Sequence, residues 1–253
     1  MDLGLTGRVV IVTGAASGIG EAVARAAAAE GAVPFLTDRD APGLARVAAA
    51  LGAGSHLADL SRPEAAAAIV AACLSRHGRV EGLVNAAGLT TRGALLDGTL
   101  ETWDSLFDVN ARAGFLLMQA VIAHLRARDA AGAIVNILSM NAHCGQPDLA
   151  IYAASKGAMA VLTRNAAHAH MAHRIRVNGI MLGWVATPSE DRMQAALPGQ
   201  GPDWQARAAA SLPLGRLVRS DEAARLAVFL LGEASVPMSG ALIDFEQKVA
   251  GAL

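Results

Sequence analysis

The sequence predicts an α/β fold, namely a parallel, doubly wound sheet with helices on both of its faces. Short apolar runs alternate with longer amphipathic stretches along all 253 residues, and this alternation is typical of parallel sheets. The apolar runs are continuous and rich in valine and isoleucine, as expected for strands that are buried on both faces. Six strands are predicted, at residues 8–12, 33–36, 82–84, 133–138, 176–180 and 241–245.

Helices are predicted between these strands. Pro63 and Asp221 each follow closely on a serine and are typical residues for a helix start. The least regular stretch, residues 187–214, is rich in proline and glycine. We interpret it as one long excursion from a single domain that spans residues 1–253, because no linker or repeat interrupts the alternation. The predicted helices are 18–30, 42–51, 63–76, 100–128, 151–170 and 221–231.

Composition excludes several classes of protein. A hydrophobic content of 53% is ample for a large core and excludes a disordered chain. A net charge of −1 argues against a dedicated nucleic-acid or membrane-surface protein. We expect no signal peptide, because no basic segment precedes an apolar one at the N-terminus. We also expect no transmembrane helix, because no window of ~18 residues is uninterruptedly apolar. The prediction is therefore a cytoplasmic protein.

No metal site is expected. The two cysteines, Cys73 and Cys144, have no metal-type spacing and give no sign of a disulfide framework. His168, His170 and His173 lie close together, but their spacing follows no zinc-ligand rule. We therefore interpret these histidines as a solvated helix end.

A glycine-rich turn follows the first predicted strand and precedes a helix. The glycines permit a tight turn and a close backbone approach to a pyrophosphate, and the free N–H groups of a helix N-terminus favour anions. An ordinary strand–turn–helix corner is the alternative interpretation of three glycines alone. The residues that would hold the cofactor here are Gly14, Ser17, Gly18, Ile19 and Gly20.

Asp38 ends the second predicted strand, where an acidic residue can select between two nicotinamide cofactors. A carboxylate there can hydrogen-bond both hydroxyls of an adenosine ribose and would repel a 2′-phosphate. NAD is therefore predicted rather than NADP. Arg39 favours NADP instead, because an arginine can accommodate a phosphate. Both residues could also be solvated turn residues.

The only tyrosine of the chain, Tyr152, lies four positions before Lys156, one of only two lysines. On a helix this spacing places both side chains on one face. The ammonium could then lower the pKa of the phenol, because an adjacent positive charge favours the phenolate. A tyrosine with a lowered pKa can serve as a general acid or base. A half-buried aromatic residue and a solvated lysine would be the ordinary interpretation of the pair alone.

The glycine spacing and the Tyr-x-x-x-Lys pair together resemble the short-chain dehydrogenase/reductase family. The resemblance covers essentially the whole chain and implies a Rossmann-type sheet of about seven strands in a single domain. Further matches occur in the family's order, at Asp59-Leu60, Asn85-Ala86-Ala87-Gly88, Asn110 and Ser139, the last of which lies at the family's interval before Tyr152.

The chemistry implied by the resemblance is hydride transfer between NAD and a secondary alcohol or ketone. Tyr152 would exchange the proton, with Lys156 and the positive nicotinamide ring lowering its pKa from ~10 toward ~7. Lys156 would also hold the nicotinamide ribose, Ser139 would orient the substrate oxygen, and Asn110 would complete a proton path through water. Besides the glycine turn, the implied cofactor contacts are Asp38, Arg39, Asp59, Leu60, Asn85, Ala86, Gly88, Tyr152, Lys156, Gly183, Val185 and Thr187.

Two segments depart from the family's pattern. Leu182-Gly183 replaces a Pro-Gly pair, so the loop that carries Val185 and Thr187 loses one fixed φ. Glu246-Gln247-Lys248 replaces Asp-Gly-Gly after the last strand. This second departure is expected to affect subunit contacts and not catalysis.

Residues that follow Ser139 are expected to form the substrate pocket together with Tyr152. Asn141, His143 and Gln146 would supply a polar floor, and Trp184, Met193 and Trp204 would form an apolar lid. Such a pocket suits a polyol or sugar, and it also suits a small cyclic alcohol or ketone. The three polar residues could instead lie on a loop surface.

Other functions remain as alternatives. The chain could be a reductase of small cyclic or aliphatic ketones, or a nucleotide-sensing regulator without turnover. Retention of Asn110, Ser139, Tyr152 and Lys156 disfavours the regulator. The extended epimerase branch lacks room after Lys156, and the enoyl-reductase branch has a wider tyrosine–lysine spacing. The apolar helices predict a homo-oligomer, either a tetramer or a dimer.

Overall fold

The computed structural model of the protein describes residues 2–143, 146–195, 197, 201 and 203–250. Its strands are β1 (Val9–Thr13), β2 (Val33–Asp38), β3 (Gly54–Leu57), β4 (Gly82–Asn85), β5 (Gly132–Ser139), β6 (Ile175–Leu182), β7 (Val185–Ala186), β8 (Val218–Arg219) and β9 (Leu242–Phe245). Seven of them form a parallel sheet in the order β3-β2-β1-β4-β5-β6-β9, and β7 pairs with β8. The predicted fold class is confirmed.

The helices are α1 (Gly18–Ala29), α2 (Ala41–Leu51), α3 (Ala65–His77), α4 (Leu100–Phe107), α5 (Ala113–Ala127), α6 (Ala150–His170), α7 (Pro188–Ala195), α8 (Trp204–Ala210) and α9 (Ser220–Leu231). Helices α7 and α8 lie within the predicted excursion, where residues 196, 198–200 and 202 are outside the described part, as is Cys144. The predicted helix 100–128 is interrupted by a π-helical turn, Asp108–Arg112, between α4 and α5.

The core lies on both faces of the sheet, because neighbouring strand residues point in opposite directions. Val10 and Val12 of β1 face α1, α2 and α9, whereas Val9 and Ile11 face α3, α5 and α6. Every residue of β1, β4, β5 and β6 is buried. These four strands, together with β2 and β9, are the six that the sequence predicts.

Strand β3 was not predicted, because its sequence has no buried apolar pattern. It reads Gly-Ser-His-Leu and occupies an edge of the sheet, paired only with β2, and its Leu57 is 54% exposed. An edge strand needs no apolar residues on its outer side, so periodicity does not reveal it.

The helical run Leu100–Ala127 has a mean hydropathy of 1.3 over its most apolar window and is long enough to cross a membrane. Half of that window is buried inside the fold. Its second half, α5, places Leu117, Val121 and Leu125 in the core beneath the sheet. A core helix explains this composition.

Candidate active site

A large cleft of about 1010 Å³ opens at the carboxyl ends of the parallel strands. It passes over β1 and β4, which are neighbours in the sheet although β2 and β3 lie between them in sequence. Crevices of open α/β sheets bind ligands at such a switch point. The cleft therefore has the position and size for a dinucleotide and a small substrate.

The glycine turn forms one wall of the cleft with its backbone. Gly14 has φ +66°, and a Cβ there would lie 2.9 Å from the Cα of Ala87. A Cβ on Gly20 would collide with the carbonyl of Gly14. Ser17 precedes α1 in an extended conformation and makes no capping hydrogen bond from its side chain. The first N–H groups of α1 therefore have no side-chain cap, which suits a pyrophosphate.

The acidic end of the cleft is organised by Asp38. Its Oδ2 accepts the N–H of Ala16 at 3.0 Å, and its Oδ1 accepts the N–H of Asp40 at 2.9 Å. One bond to each oxygen leaves each a lone pair for a ligand hydroxyl. Arg39 and Asp59 line the same end of the cleft, and so does Leu60. This arrangement fits the adenosine ribose of a nicotinamide cofactor.

Tyr152 and Lys156 lie one turn apart on α6 and are 8% and 6% exposed. The Lys156 Nζ lies 6.0 Å from the centroid of the Tyr152 ring and donates to the carbonyl of Ile137 at 2.9 Å. Ser139 ends β5 and lines the same cleft wall, together with both residues. The structure thus brings together three of the four predicted catalytic residues.

Asn110, the fourth, lies in the π-helical turn behind this wall. Its Oδ1 accepts the N–H of Leu89 at 2.8 Å, and its Nδ2 donates to the Leu89 carbonyl at 2.9 Å and to Ser155 Oγ at 3.0 Å. With Lys156 it lines an inner cavity of about 10 Å³, close to the smallest volume that holds one water. Asn110 therefore fixes the loop that follows β4 and does not line the main cleft.

Among the other predicted cofactor contacts, only Asn85 does not line the cleft. Its Nδ2 donates to Asn136 Oδ1 at 2.8 Å, because β4 and β5 pair these two residues in register. The Asn85 side chain therefore points into the sheet and does not line the cleft. The remaining predicted contacts line the cleft, namely Gly14, Ser17, Gly18, Ile19, Gly20, Asp38, Arg39, Asp59, Leu60, Ala86, Gly88, Tyr152, Lys156, Gly183, Val185 and Thr187.

The predicted substrate residues divide in a similar way. Asn141, Gln146 and Trp184 line the cleft beside Ser139 and Tyr152, and Met193 does so as well. His143 does not line it, because its Nε2 lies 2.7 Å from Asp244 Oδ1 on β9. His143 is thus held against the last strand, which corrects its assignment to the pocket.

Trp204 supports the predicted lid from behind. Its side chain is 5% exposed and packs with Leu212 and Leu217. Its ring lies 5.8 Å from that of Trp184. Trp204 therefore positions Trp184 without lining the cleft.

The C-terminal segment bears on the cleft, contrary to the expectation that it affects only subunit contacts. Glu246 Oε2 accepts the N–H of Trp184 at 3.2 Å, and any side chain at Gly183 would collide with the Glu246 carboxylate. Gln247 Nε2 donates to the carbonyl of Arg216 at 2.7 Å. Glu246 and Lys248 both line the cleft. Glu246 therefore holds the loop that follows β6, and Gln247 holds the segment that precedes β8.

Two features of the pocket were not predicted. Arg92 forms an ion pair with Asp148 and ties the loop after β4 to the start of α6. Glu190 lines the cleft from α7. No motif marked either one, because the pair joins distant segments and α7 lies in a stretch without apolar periodicity.

Burial reverses the expected direction of the Tyr152 pKa. Removal from solvent raises the pKa of the phenol above its usual value near 10, because a low-dielectric surrounding disfavours the charged form. Hydrogen bonding from Ser139 acts in the opposite direction, and the carboxylate of Glu190 raises the pKa further. Burial also lowers the pKa of the Lys156 ammonium to about 8. The protein's own groups therefore favour a protonated phenol.

A raised phenol pKa predicts different pH profiles for the two directions of a proton-coupled reaction. A step that takes a proton from the phenol is expected to be independent of pH near pH 7, because Tyr152 is already protonated. A step that needs the phenolate should accelerate about 10-fold per pH unit below the pKa. The kcat/KM for ketone reduction and alcohol oxidation, measured across pH, checks this. Reduction that falls as pH rises through 7 would contradict it.

Several known proteins resemble the chain over nearly its whole length. A family model described as enoyl-(acyl carrier protein) reductase matches residues 14–246. The 2-(S)-hydroxypropyl-CoM dehydrogenase 3 of Xanthobacter autotrophicus is 33% identical over 243 residues, which cover 94% of this chain and 94% of that protein. The chain belongs to the short-chain dehydrogenase/reductase family.

Solved structures of this short-chain dehydrogenase/reductase family share the fold. The L-sorbose reductase of Gluconobacter frateurii, complexed with NADPH and L-sorbose, has a TM-score of 0.92 at 28% identity over 100% of each chain. A 3-ketoacyl-(acyl-carrier-protein) reductase of Brucella melitensis, complexed with NADH, has a TM-score of 0.86 at 30% identity, covering 96% of this chain and 98% of that one. The protein is thus an oxidoreductase that uses a nicotinamide cofactor on alcohols or ketones, as predicted.

Proposed function

We propose that the protein is an NAD-dependent dehydrogenase that interconverts a small polyhydroxylated secondary alcohol and its ketone. The observation that carries the proposal is the grouping of Ser139, Tyr152 and Lys156 on one wall of a cleft whose opposite end holds Asp38. The bound nicotinamide would accept or deliver the hydride. The chain's own residues would bind the substrate and move its proton.

Each residue would have one role in this reaction. In reduction the Tyr152 phenol would donate its proton to the substrate oxygen, and in oxidation its phenolate would take the hydroxyl proton. Ser139 would hold that oxygen by hydrogen bonding. Lys156 would hold the nicotinamide ribose, and a water in the inner cavity between Lys156 and Asn110 would link the proton to solvent.

A polyol or sugar is the proposed substrate class, because both polar and apolar groups line the pocket. Asn141 and Gln146 offer hydrogen-bonding groups beside Ser139, while Trp184 and Met193 offer apolar surface. The sorbose reductase named above acts on a substrate of this class. A small cyclic alcohol or ketone is the second candidate, supported by the same apolar surface. The three-residue gap between Tyr152 and Lys156 disfavours enoyl reduction.

The cofactor is proposed to be NAD, and substitution of Asp38 tests this choice. We expect Asp38→Ser to lower kcat/KM with NAD and to raise it with NADP, each on the order of 10-fold, because a repelling charge is removed. Adding Arg39→Ala should abolish the gain with NADP. The measurement is initial rate against the concentration of each cofactor. A wild-type preference for NADP would transfer the ribose contact from Asp38 to Arg39.

We further propose a cytoplasmic homo-oligomer, a tetramer or a dimer. Exposed apolar side chains lie on α4, on α6 and just before α4, where Leu95 and Leu96 are fully exposed, Leu100 and Val161 largely exposed and Trp103 about half exposed. Such a patch usually marks a protein–protein contact. Gel filtration at the mass of a 25.8 kDa monomer would overturn the oligomer.

The decisive experiment for the proposed function is nicotinamide absorbance with a panel of polyols, sugars and cyclic alcohols, with NAD and NADP in parallel. Turnover with NAD and a polyol or sugar is the expected result. Binding of NAD without turnover of any member would favour the nucleotide-sensing regulator instead.

A further inference from the structure

Glu190 is a carboxylate held in a fixed orientation in the substrate half of the cleft. It lies in the first turn of α7, where its backbone N–H donates to Thr187 Oγ1 at 3.1 Å. Its Oε1 accepts the indole N–H of Trp184 at 2.8 Å and the amide of Gln194 at 2.7 Å. Gln194 is itself almost fully buried. The side chain is therefore constrained by partners on both sides.

The second oxygen of Glu190 is available to a ligand. Within the described residues, both side-chain donors reach Oε1, and Oε2 receives no hydrogen bond from the protein. A carboxylate oxygen accepts hydroxyl groups well, and charge-assisted bonds of this kind are stronger than neutral ones. Glu190 lines the same cleft as Ser139 and Tyr152. Its free oxygen is thus placed to meet a substrate hydroxyl.

Other charged groups line this half of the cleft, but their charges are placed differently. The Arg92 guanidinium is paired with Asp148. Glu246 accepts the backbone N–H of Trp184. Arg192 and Lys248 also line it and are exposed. Lys156 faces Tyr152 from within α6. Among the described residues, Glu190 and Glu246 are therefore the partly buried carboxylates in this half of the cleft without a cationic partner, and Glu190 is the one whose charge acts on Tyr152.

The charge of Glu190 acts on the phenol of Tyr152. It raises the pKa of Tyr152, in the same direction as burial and against Ser139. Tyr152 is buried, and a charge that acts on its phenol would also act on a charged group of a substrate bound beside it.

We propose that Glu190 is the residue that sets the charge specificity of the pocket, accepting a hydroxyl of neutral polyhydroxylated substrates and repelling substrates that carry a carboxylate, sulfonate or phosphate. This inference rests on the proposed alcohol–ketone activity and adds to it a choice of substrate charge. Like charges that meet in a binding site are a common means of rejecting wrong partners.

Matched substrate pairs and a matched variant test the proposal. The pairs are sorbitol with gluconate, and the carboxamide of cis-4-hydroxycyclohexanecarboxylate with the acid. Glu190→Gln keeps the size of the side chain and an acceptor for Trp184 and Gln194. Asp191→Asn removes the same charge from the neighbouring residue, which accepts from Gln205 and does not line the cleft.

The expected result is a change in substrate preference that only one variant shows. Wild-type kcat/KM should favour the neutral member of each pair. Glu190→Gln should lower the neutral-to-anionic ratio on the order of 10-fold, whereas Asp191→Asn should leave it within about twofold. An equal change in both variants would overturn the proposal. If the wild type turned over neither member of either pair, the proposed function itself would fail.

A second measurement tests the proposal without any catalytic turnover. Because the chain has one tyrosine, ¹³C-labelling of tyrosine gives a single phenol carbon signal that reports the titration of Tyr152 alone. Glu190→Gln should move the midpoint of this titration to lower pH, and Asp191→Asn should not. An unchanged midpoint in Glu190→Gln would overturn the inference, even if the substrate panel gave no activity.

Discussion

Replacing Tyr152 with phenylalanine is expected to lower kcat by about 10²–10⁴-fold, the usual contribution of a positioned general acid or base. The substitution removes one hydroxyl from a side chain that is 8% exposed. The ring would keep its packing against Leu106 and Leu149. The loss should therefore appear in turnover and not in folding, and steady-state rates in both directions measure it.

The control for this prediction is the affinity for the cofactor. The glycine turn and Asp38 lie away from the phenol at the other end of the cleft, so the dissociation constant for NAD should stay within about twofold. Ser139→Ala should lower kcat as well, but should leave a functional phenol. A Tyr152→Phe enzyme that kept a tenth or more of wild-type kcat would show that another group moves the proton.

The residues that sequence alone located are those whose role depends on local spacing. Tyr152 and Lys156 come to one face because they are four apart on a helix, and Gly14 and Gly20 line the cleft because strand, turn and helix follow one another directly. These relations are set by neighbouring backbone geometry. The continuous apolar strands of the sheet are predictable for the same reason.

Errors arose where position depends on a distant part of the chain. Asn85 faces away from the cleft because the sheet register pairs it with Asn136. His143 is drawn to Asp244 on the last strand, and Glu246 reaches back to the loop at Trp184. Strand pairing and chain crossover decide each of these contacts, and neither is visible in one segment of sequence.

The direction of the Tyr152 pKa shift was also predicted wrongly, because it depends on burial in the folded chain. The spacing of Tyr152 and Lys156 predicts a charge pair but does not give the depth at which the pair is buried. Burial raises the pKa of the phenol and lowers that of the ammonium. Desolvation is the largest effect on the pKa of both residues. An argument from the charge pair alone therefore predicts the wrong direction for the pKa shift of Tyr152.

The buried side chain of Arg176 caps the C-terminal end of α9, and its replacement is expected to have the second large effect. Arg176 lies near the start of β6 and is 6% exposed. Its guanidinium donates to the carbonyls of Leu230 at 3.0 Å, Leu231 at 3.2 Å and Gly232 at 2.8 Å. Helix α9 ends at Leu231 without a left-handed residue, since Gly232 has φ −76°. Arg176 therefore satisfies the last carbonyls of α9 and complements its dipole.

Replacing Arg176 with methionine is expected to reduce the free energy of unfolding by about 3 kcal/mol, because buried carbonyls lose a charged donor. In a chain of this size, that loss corresponds to a Tm lower by about 6–12 °C. Arg176→Lys should recover part of the stability, since it keeps the charge but not the planar fork. Thermal and denaturant unfolding measure both variants.

The same variant separates a structural role from a catalytic one. Arg225 lies on α9 too, but is exposed and pairs with Asp221 at 2.7 Å, so Arg225→Met should cost less than about 1 kcal/mol. Arg176 lies at the opposite end of β6 from Leu182, where the strand enters the cleft. We therefore expect Arg176→Met to retain wild-type kcat below its Tm, the reverse of Tyr152→Phe. A folded Arg176→Met protein with unchanged Tm would mean that water replaces the guanidinium at the end of α9.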